Sequence, residues 1–251
     1  MKKSFGVSLV VVGMVLMLTG GAAQANILIN ENFTHPDGNL VGQVPTPGPG
    51  AAWAVHSGTT GPVQVSNGTA LIVQGNAEDV NCDTGTAMAA GDRWYAGYDL
   101  SVTGGTTNVY FGMFLTGTSY FTSRIWVTAP ASDGDFRLCL SNDNSMTDAD
   151  GEVFTGDLDF GTTYRVVSYY DYDAQAGKLW IDPVDESSPG FLATDPGYSN
   201  ASFGYAFRQS SGNSTQTIDN LIVATTFDEA VPEPATIAML LIGGLALRRR
   251  R

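Results

Sequence analysis

Asp148-Ala149-Asp150-Gly151-Glu152 sets three carboxylates at alternate positions, a spacing suited to chemistry on a sugar or a cation. On a strand, alternation puts every second side chain on one face. Two carboxyl groups about 5 Å apart would then serve as nucleophile and acid of a retaining glycosidase. The neighbours argue against a strand. Ala149 and Gly151 stand where apolar strand formers would be needed, and 141–147 is rich in Ser, Asn and Asp. Those are turn residues, so the carboxylates are not expected to share a face, and no catalytic residue is assigned. Calcium is the second chemistry. An EF-hand loop needs an acid at its first position and glycine at its sixth. Aligning Gly151 to that glycine puts Met146 first, and the motif fails. Asp143, Asp148, Asp150 and Glu152 could still ligate calcium in an irregular site, with a solvated turn as the alternative. Asp157-Leu158-Asp159 and Asp171-Tyr172-Asp173 read as turns.

Other chemistries lack their residues. His35 and His56 are the only histidines, and neither stands in the context of a nucleophilic triad or a zinc site. No phosphate loop or dinucleotide fingerprint is present. Trp53, Trp94, Trp126 and Trp180 could stack on sugar rings if exposed, but their alternating apolar neighbours point to the core.

The two ends read as addresses. Lys2 and Lys3 precede an apolar run over 7–18, and Ala23-Gln24-Ala25 is a small-x-small site with cleavage before Asn26. That order is a secretory signal peptide over 1–25, and the run is shorter than the ~20 residues of a spanning helix. At the other end, Val231-Pro232-Glu233-Pro234 leads into an apolar stretch over 235–247 and then Arg248, Arg249, Arg250 and Arg251. The prolines keep the chain extended. The apolar stretch can enter a bilayer as a transmembrane helix, and the arginines stay on the cytoplasmic side.

This unit over 231–251 resembles the PEP-CTERM sorting signal. The resemblance implies processing by an exosortase, a membrane cysteine transpeptidase, in a Gram-negative bacterium that makes exopolysaccharide. It implies export through the inner membrane to the cell surface or extracellular matrix, with membrane contact only through the tail before processing. In an oxidising compartment two lone cysteines most often pair, so Cys82 and Cys139 are expected to form a disulfide.

Residues 26–230 remain as one domain. The two ends hold six of the twelve basic residues and one of the twenty-five acids, leaving a body with six cations, twenty-four acids and a formal charge of −18. Nucleic acid, which needs clustered Lys and Arg, is excluded as a partner. The acidity suits solubility and divalent cations. No cofactor is indicated other than possible calcium.

About eleven short strand signals run through the body, separated by Gly, Asn, Asp, Ser and Pro, with no helical stripe. Asn67-Gly68 between Val63–Ser66 and Thr69–Val73 predicts a hairpin on a type I′ turn. Gly42–Gly50 reads as loop, and 217–227 as the closing strand. The pattern predicts an all-β fold, an antiparallel β-sandwich or barrel. Tyr164-Arg165-Val166-Val167, Tyr170-Asp171, Lys178-Leu179-Trp180-Ile181-Asp182-Pro183 and Ile218-Asp219-Asn220-Leu221 resemble the second half of a concanavalin A-like, LamG-type jelly roll. The opening Glu31-Asn32-Phe33 … Asp37-Gly38-Asn39-Leu40 is similar to PEP-CTERM proteins with this body. The expectation is a non-enzymatic surface or biofilm-matrix protein. A lectin-like module for exopolysaccharide or other surface glycans is the alternative, and a glycoside hydrolase or lyase on this fold is a third reading.

Overall fold

The computed structural model describes residues 26–105, 109–117, 120–143, 146, 153–195, 201–212 and 214–231. Ala23 and Ala25 of the cleavage site, Pro232, Glu233 and Pro234, Arg248 to Arg251, and the calcium candidates Asp148, Asp150 and Glu152 lie outside the described residues.

The strands are β1 (Ile27–Glu31), β2 (Gly38–Asn39), β3 (Ala54–Ser57), β4 (Gln64–Ser66), β5 (Thr69–Ile72) and β6 (Asp79–Asp83). There follow β7 (Arg93–Gly104), β8 (Val109–Leu115), β9 (Phe121–Thr128), β10 (Arg137–Ser141) and β11 (Val153–Phe154). The chain continues with β12 (Thr163–Asp171), β13 (Ala176–Ile181), β14 (Phe191–Ala193), β15 (Gly204–Phe207), β16 (Thr215–Ala224) and the short helix α1 (Phe227–Ala230). One sheet has nine strands in the order β14-β13-β12-β7-β16-β5-β4-β2, with β1 also on β16; the other has seven, β11-β10-β9-β8-β15-β6-β3. Every pairing is antiparallel. The fold is an all-β antiparallel sandwich.

Five strands go beyond the sequence expectation: β2, β3, β6, β11 and β14. All have two to five residues, too few for alternation to stand out. The expected closing strand stops at Ala224, and 227–230 turn into α1. The predicted hairpin is present: Ser66 faces Thr69, and Asn67 and Gly68 hold φ of 52° and 77°, as a type I′ turn requires.

The core lies between the sheets. Val80 and Cys82 of β6, Ala70 and Ile72 of β5, and Ile125 and Val127 of β9 point into it at period two. Trp53 stacks on Phe207 with centroids 5.5 Å apart. Gly112 sits where Tyr98 and Tyr205 meet. A Cβ there would lie 2.9 Å from the Tyr205 hydroxyl and 3.1 Å from that of Tyr98, so a side chain would displace two fully buried rings.

Glu31 is fully buried at the end of β1. Its carboxylate accepts from Phe33 N at 2.7 Å, His35 Nε2 at 2.9 Å and Trp53 Nε1 at 3.1 Å, with Thr46 N at 3.5 Å. The Pro/Gly stretch expected as loop lies along the open edge of β1. Asn30 N bonds Pro49 O, Asn32 N bonds Thr46 O, and Gly48 N bonds Asn30 O. An edge tolerates prolines because it needs few donors from the added chain.

At the other end, α1 covers the outer face of the nine-stranded sheet. Phe227 packs edge-on against Tyr95 and Trp180. Arg165 Nη2 donates to Ala230 O at 2.6 Å. A Cβ on Gly97 would lie 2.0 Å from that same oxygen, so only glycine lets this segment settle on β7.

The expected disulfide is not formed: Cys82 and Cys139 are both buried thiols outside any disulfide. Between β6 and β10 stand β15, β8 and β9, which makes four strand steps, or roughly 19 Å along the sheet. A disulfide needs Cβ atoms about 4 Å apart. The side chains also point to opposite faces, Cys82 into the core and Cys139 into a cluster outside it. Burial pushes the Cys82 thiol up to about 12, and Sγ donates to Ala51 O at 3.2 Å. A thiol reagent applied without reductant should therefore label neither cysteine in the folded protein and both in denaturant. A denatured chain with no reactive thiol would contradict this arrangement.

Candidate functional site

Of the four calcium candidates, Asp143 is described, and it belongs to a hydrogen-bonded network after β10. Asp195, fully buried, accepts from Asn142 N at 2.6 Å and Asp143 N at 3.1 Å. Ser141 Oγ lies 3.0 Å from Asp195 Oδ2 and 3.2 Å from Asp143 Oδ1, with one proton to share. Asn142 Nδ2 donates to Ala193 O and Asp195 O. Burial raises the Asp195 carboxyl above its ordinary value, against the pull of these donors. The network ties β10 to the end of β14, and Gly177 leaves space for it: a Cβ there would be 2.6 Å from both Asn142 Oδ1 and Ser123 Oγ. No three His, Cys, Asp or Glu residues gather to hold a metal among the described residues. Asp195 and Asn142 were not singled out from sequence; the Ser-Asn-Asp run after a strand is the signal that could have found them.

The acidic pairs are structural. Asp157 closes the turn after β9, its carboxylate accepting from Ala131 N at 2.6 Å and Ser132 N at 2.7 Å. Asp171 takes Nη2 of Arg93 at 2.7 Å, and Asp173 accepts from Gly91 N at 3.0 Å. All four tryptophans are buried. His35 serves Glu31.

The outer face of the seven-stranded sheet has a different composition. On β8, Tyr110 is approached by two guanidiniums, Arg124 of β9 with its carbon 5.0 Å from the ring centroid and Arg208 after β15 at 4.4 Å. Since β8 lies between those strands, they come from opposite sides. Arg124 also lies 5.5 Å from the Phe121 ring and donates to Asp143 O. Arg137 of β10 stacks on Phe154 at 4.4 Å. Trp126 meets Tyr110 edge-on at 4.9 Å, and Met146 packs on this cluster. Such cation–ring contacts contribute about 0.5–1 kcal/mol when exposed and ~2 when desolvated, so they hold the guanidinium planes in place.

Asp79 borders the group. It lies 3.9 Å from Arg208 Nε and accepts from Ser57 Oγ at 2.8 Å and Gln209 N at 3.0 Å. Burial raises its carboxyl above the ordinary value. The His56 ring lies 5.2 Å from that of Phe121, although β3 and β9 stand four strand steps apart. A flat sheet would separate them by about 19 Å, so the sheet curls toward this face and makes it concave. Both ring nitrogens of His56 and Nε1 of Trp126 are buried without a hydrogen-bond partner.

Three of the six cations of the body thus share one curled, aromatic face. The other three, Arg93, Arg165 and Lys178, are on the nine-stranded sheet. Sequence reasoning did not group Arg124, Arg137 and Arg208, because only the strand order brings them together.

No protein-family model matches the chain, and no curated protein does. Solved structures do. Domain 4 of AbnA, a GH43 extracellular arabinanase from Geobacillus stearothermophilus in complex with arabinotriose, is 13% identical with a TM-score of 0.52, covering 82% of this chain and 97% of that one. The likeness is one of fold. Peanut lectin is 10% identical over 81% of this chain and 98% of its own, with a TM-score of 0.48. A sialidase is 15% identical with a TM-score of 0.47, and this chain spans 19% of its length.

The Asp157 turn gives a pH test. The backbone N–H groups of Ala131 and Ser132 hold this carboxyl below its ordinary 3.8. A depressed folded value means that the stabilisation is present above 3.8 and is lost as pH falls through the folded value. Asp157→Asn should therefore unfold at lower denaturant than the parent at neutral pH, with the gap closing below pH 3.8. A gap that is independent of pH would overturn the assignment.

Proposed function

We propose that this chain is an exported, non-enzymatic surface or matrix protein whose sandwich binds carbohydrate on the curled outer face of the seven-stranded sheet. The observation that carries the reading is a pair of half-buried guanidiniums set on rings, Arg208 on Tyr110 and Arg137 on Phe154. Rings and guanidiniums held in fixed planes suit a ligand that offers both apolar ring faces and many oxygens. The fold likeness to a domain solved with arabinotriose supports a sugar ligand. Tryptophan stacking is not part of the reading, because all four are buried. Binding is preferred to turnover because the Asp148, Asp150 and Glu152 carboxylates stand among turn residues.

Delivery is proposed from the two ends: a signal peptide over 1–25, and a sorting tail over 231–251 that an exosortase removes in a Gram-negative host. Surface-extracted protein should then have an intact mass lacking the apolar stretch and Arg248–Arg251. A species that still ends at Arg251 would reduce the tail to a plain membrane anchor.

The full chain in detergent should bind a subset of a polysaccharide panel. Arg208→Ala should weaken that binding about tenfold, as expected for losing one charge-assisted contact, and leave the melting curve intact. No binding across the panel, or binding indifferent to Arg208, would refute this site.

A further inference from the structure

We infer that the curled face is shut by a contact between its two walls, His56 of β3 against Phe121 of β9, and that protonation of His56 opens it. This rests on the carbohydrate reading for what the open face would take, and adds the condition under which a sugar reaches it.

The face is closed as it stands. Tyr110, Phe121 and Trp126 are 8%, 8% and 7% exposed, although they lie on an outer face. The His56 ring reaches Phe121, with centroids 5.2 Å apart, from a strand four steps away. A sugar stacked on these rings needs the walls apart.

The wall that carries His56 is weakly held. β3 has four residues, stands at the end of its sheet and, among the described strands, pairs with β6 alone. Ala54, Val55 and Ser57 are exposed, and the ladder slips between Val55 and Ser57, at His56 itself. Short, exposed edge elements belong to the low-stability end of a fold.

Closure is also held against a cost. His56 Nδ1, His56 Nε2 and Trp126 Nε1 are buried with no hydrogen-bond partner. Three orphaned polar groups cost more than one edge-on ring pair returns, so burial of the rings has to keep the face shut. Neutral imidazole leaves one donor and one acceptor unmet. Imidazolium carries two donors and a full charge, and in the closed face neither N–H meets an acceptor. The neighbouring charges do not help. Arg124 of β9 lies 5.5 Å from the same Phe121 ring, and Arg208 stands over Tyr110 of β8. Tyr120 adjoins Phe121 in the chain. The carboxylate that feels His56 is Asp79 of β6, and it already serves Ser57 Oγ, Gln209 N and Arg208 Nε.

The open form gives both N–H groups of the imidazolium to water. It therefore binds the proton more tightly than the closed form, and falling pH draws the face open. Imidazole is the side chain whose ordinary charge change falls between pH 5 and 8. One proton can raise the open-to-closed ratio by at most about tenfold per pH unit.

The test is acrylamide quenching of tryptophan fluorescence on the full chain in detergent, since Trp53, Trp94 and Trp180 are buried elsewhere. Quenching should rise as pH falls across the imidazole range. The rise should be missing from Trp126→Phe, which lacks the reporter, and from His56→Phe, which keeps a ring contact but accepts no proton. His56→Leu serves as a second uncharged variant, and melting curves check that each variant folds. Asp79→Asn should keep the rise and move it to lower pH, because it removes a negative neighbour of the imidazolium. A polysaccharide from the panel should bind more tightly at the acid end by up to the same ratio, and lose that dependence in His56→Phe. No rise in the parent would overturn the inference. So would a rise that survives in Trp126→Phe or in both His56 variants, or one that vanishes in Asp79→Asn. Equal polymer binding at both ends of the range with no rise would overturn the gate and leave the carbohydrate reading standing. A rise with no polymer bound would leave the gate standing and refute the carbohydrate reading.

Discussion

A carboxylate with no access to water sets the conditions for the first part of this sandwich. Desolvating Glu31 costs several kcal/mol unless donors replace the water, and breaking a buried pair typically costs ~3–5 kcal/mol. The donors come from separate places: Phe33 N and His35 just beyond β1, Trp53 from the segment before β3, and Thr46 N at longer range. β1 itself belongs to the nine-stranded sheet through β16, while Trp53 stacks on Phe207 of the seven-stranded sheet. One carboxylate thus fixes the course of the chain between the sheets, and the Pro/Gly stretch follows the edge that this course leaves open.

On the nine-stranded sheet the chain covers itself: α1 lies over Tyr95, Val167, Tyr169 and Trp180, held by Arg165 and by the empty space at Gly97. There Arg165 also pairs with Asp99, and Arg93 with Asp171, so the cations of that sheet sit beside carboxylates. Cations on both sheets also lie against rings, Arg93 on Tyr169 and Lys178 on Trp180 on this one, Arg208 on Tyr110 and Arg137 on Phe154 on the other, where Arg208 is 3.9 Å from Asp79 as well.

Legibility in the sequence followed the range of the interaction concerned. The Asn67-Gly68 hairpin is local, and its turn and register were foreseeable. Alternation over 136–140 and, in part, 164–172 was readable as strand. Two-residue strands such as β2 and β11 exist because longer neighbours template them, and nothing in Gly38-Asn39 announces that. The disulfide expectation failed for a related reason. Composition places two thiols in one domain, but strand order and side-chain face decide whether they meet. Of the proposed site, the sequence gives the number of arginines and their alternation with Leu138, Ile125 and Phe207. It does not give the insertion of β15 beside β8, which sets Arg208 opposite Arg124. Glu31 entered only through the resemblance of the opening segment, since a buried acid is recognisable only once its donors are assembled.

The docking of Ala230 has a consequence for how the molecule is held. The described chain ends one residue later, at Val231, packed on the outer face of the nine-stranded sheet. Arg124, Arg137 and Arg208 lie on the far side of the sandwich. A chain anchored beyond Val231, as the proposed sorting tail would have it, leaves the sandwich on this side, because Arg165 fixes the last described turn. Copies fixed this way to any surface would stand with the same side outward, like tiles laid face up. A long polymer drifting over such a layer would touch many identical weak contacts at once, and would be retained through avidity even where a single copy lets go quickly.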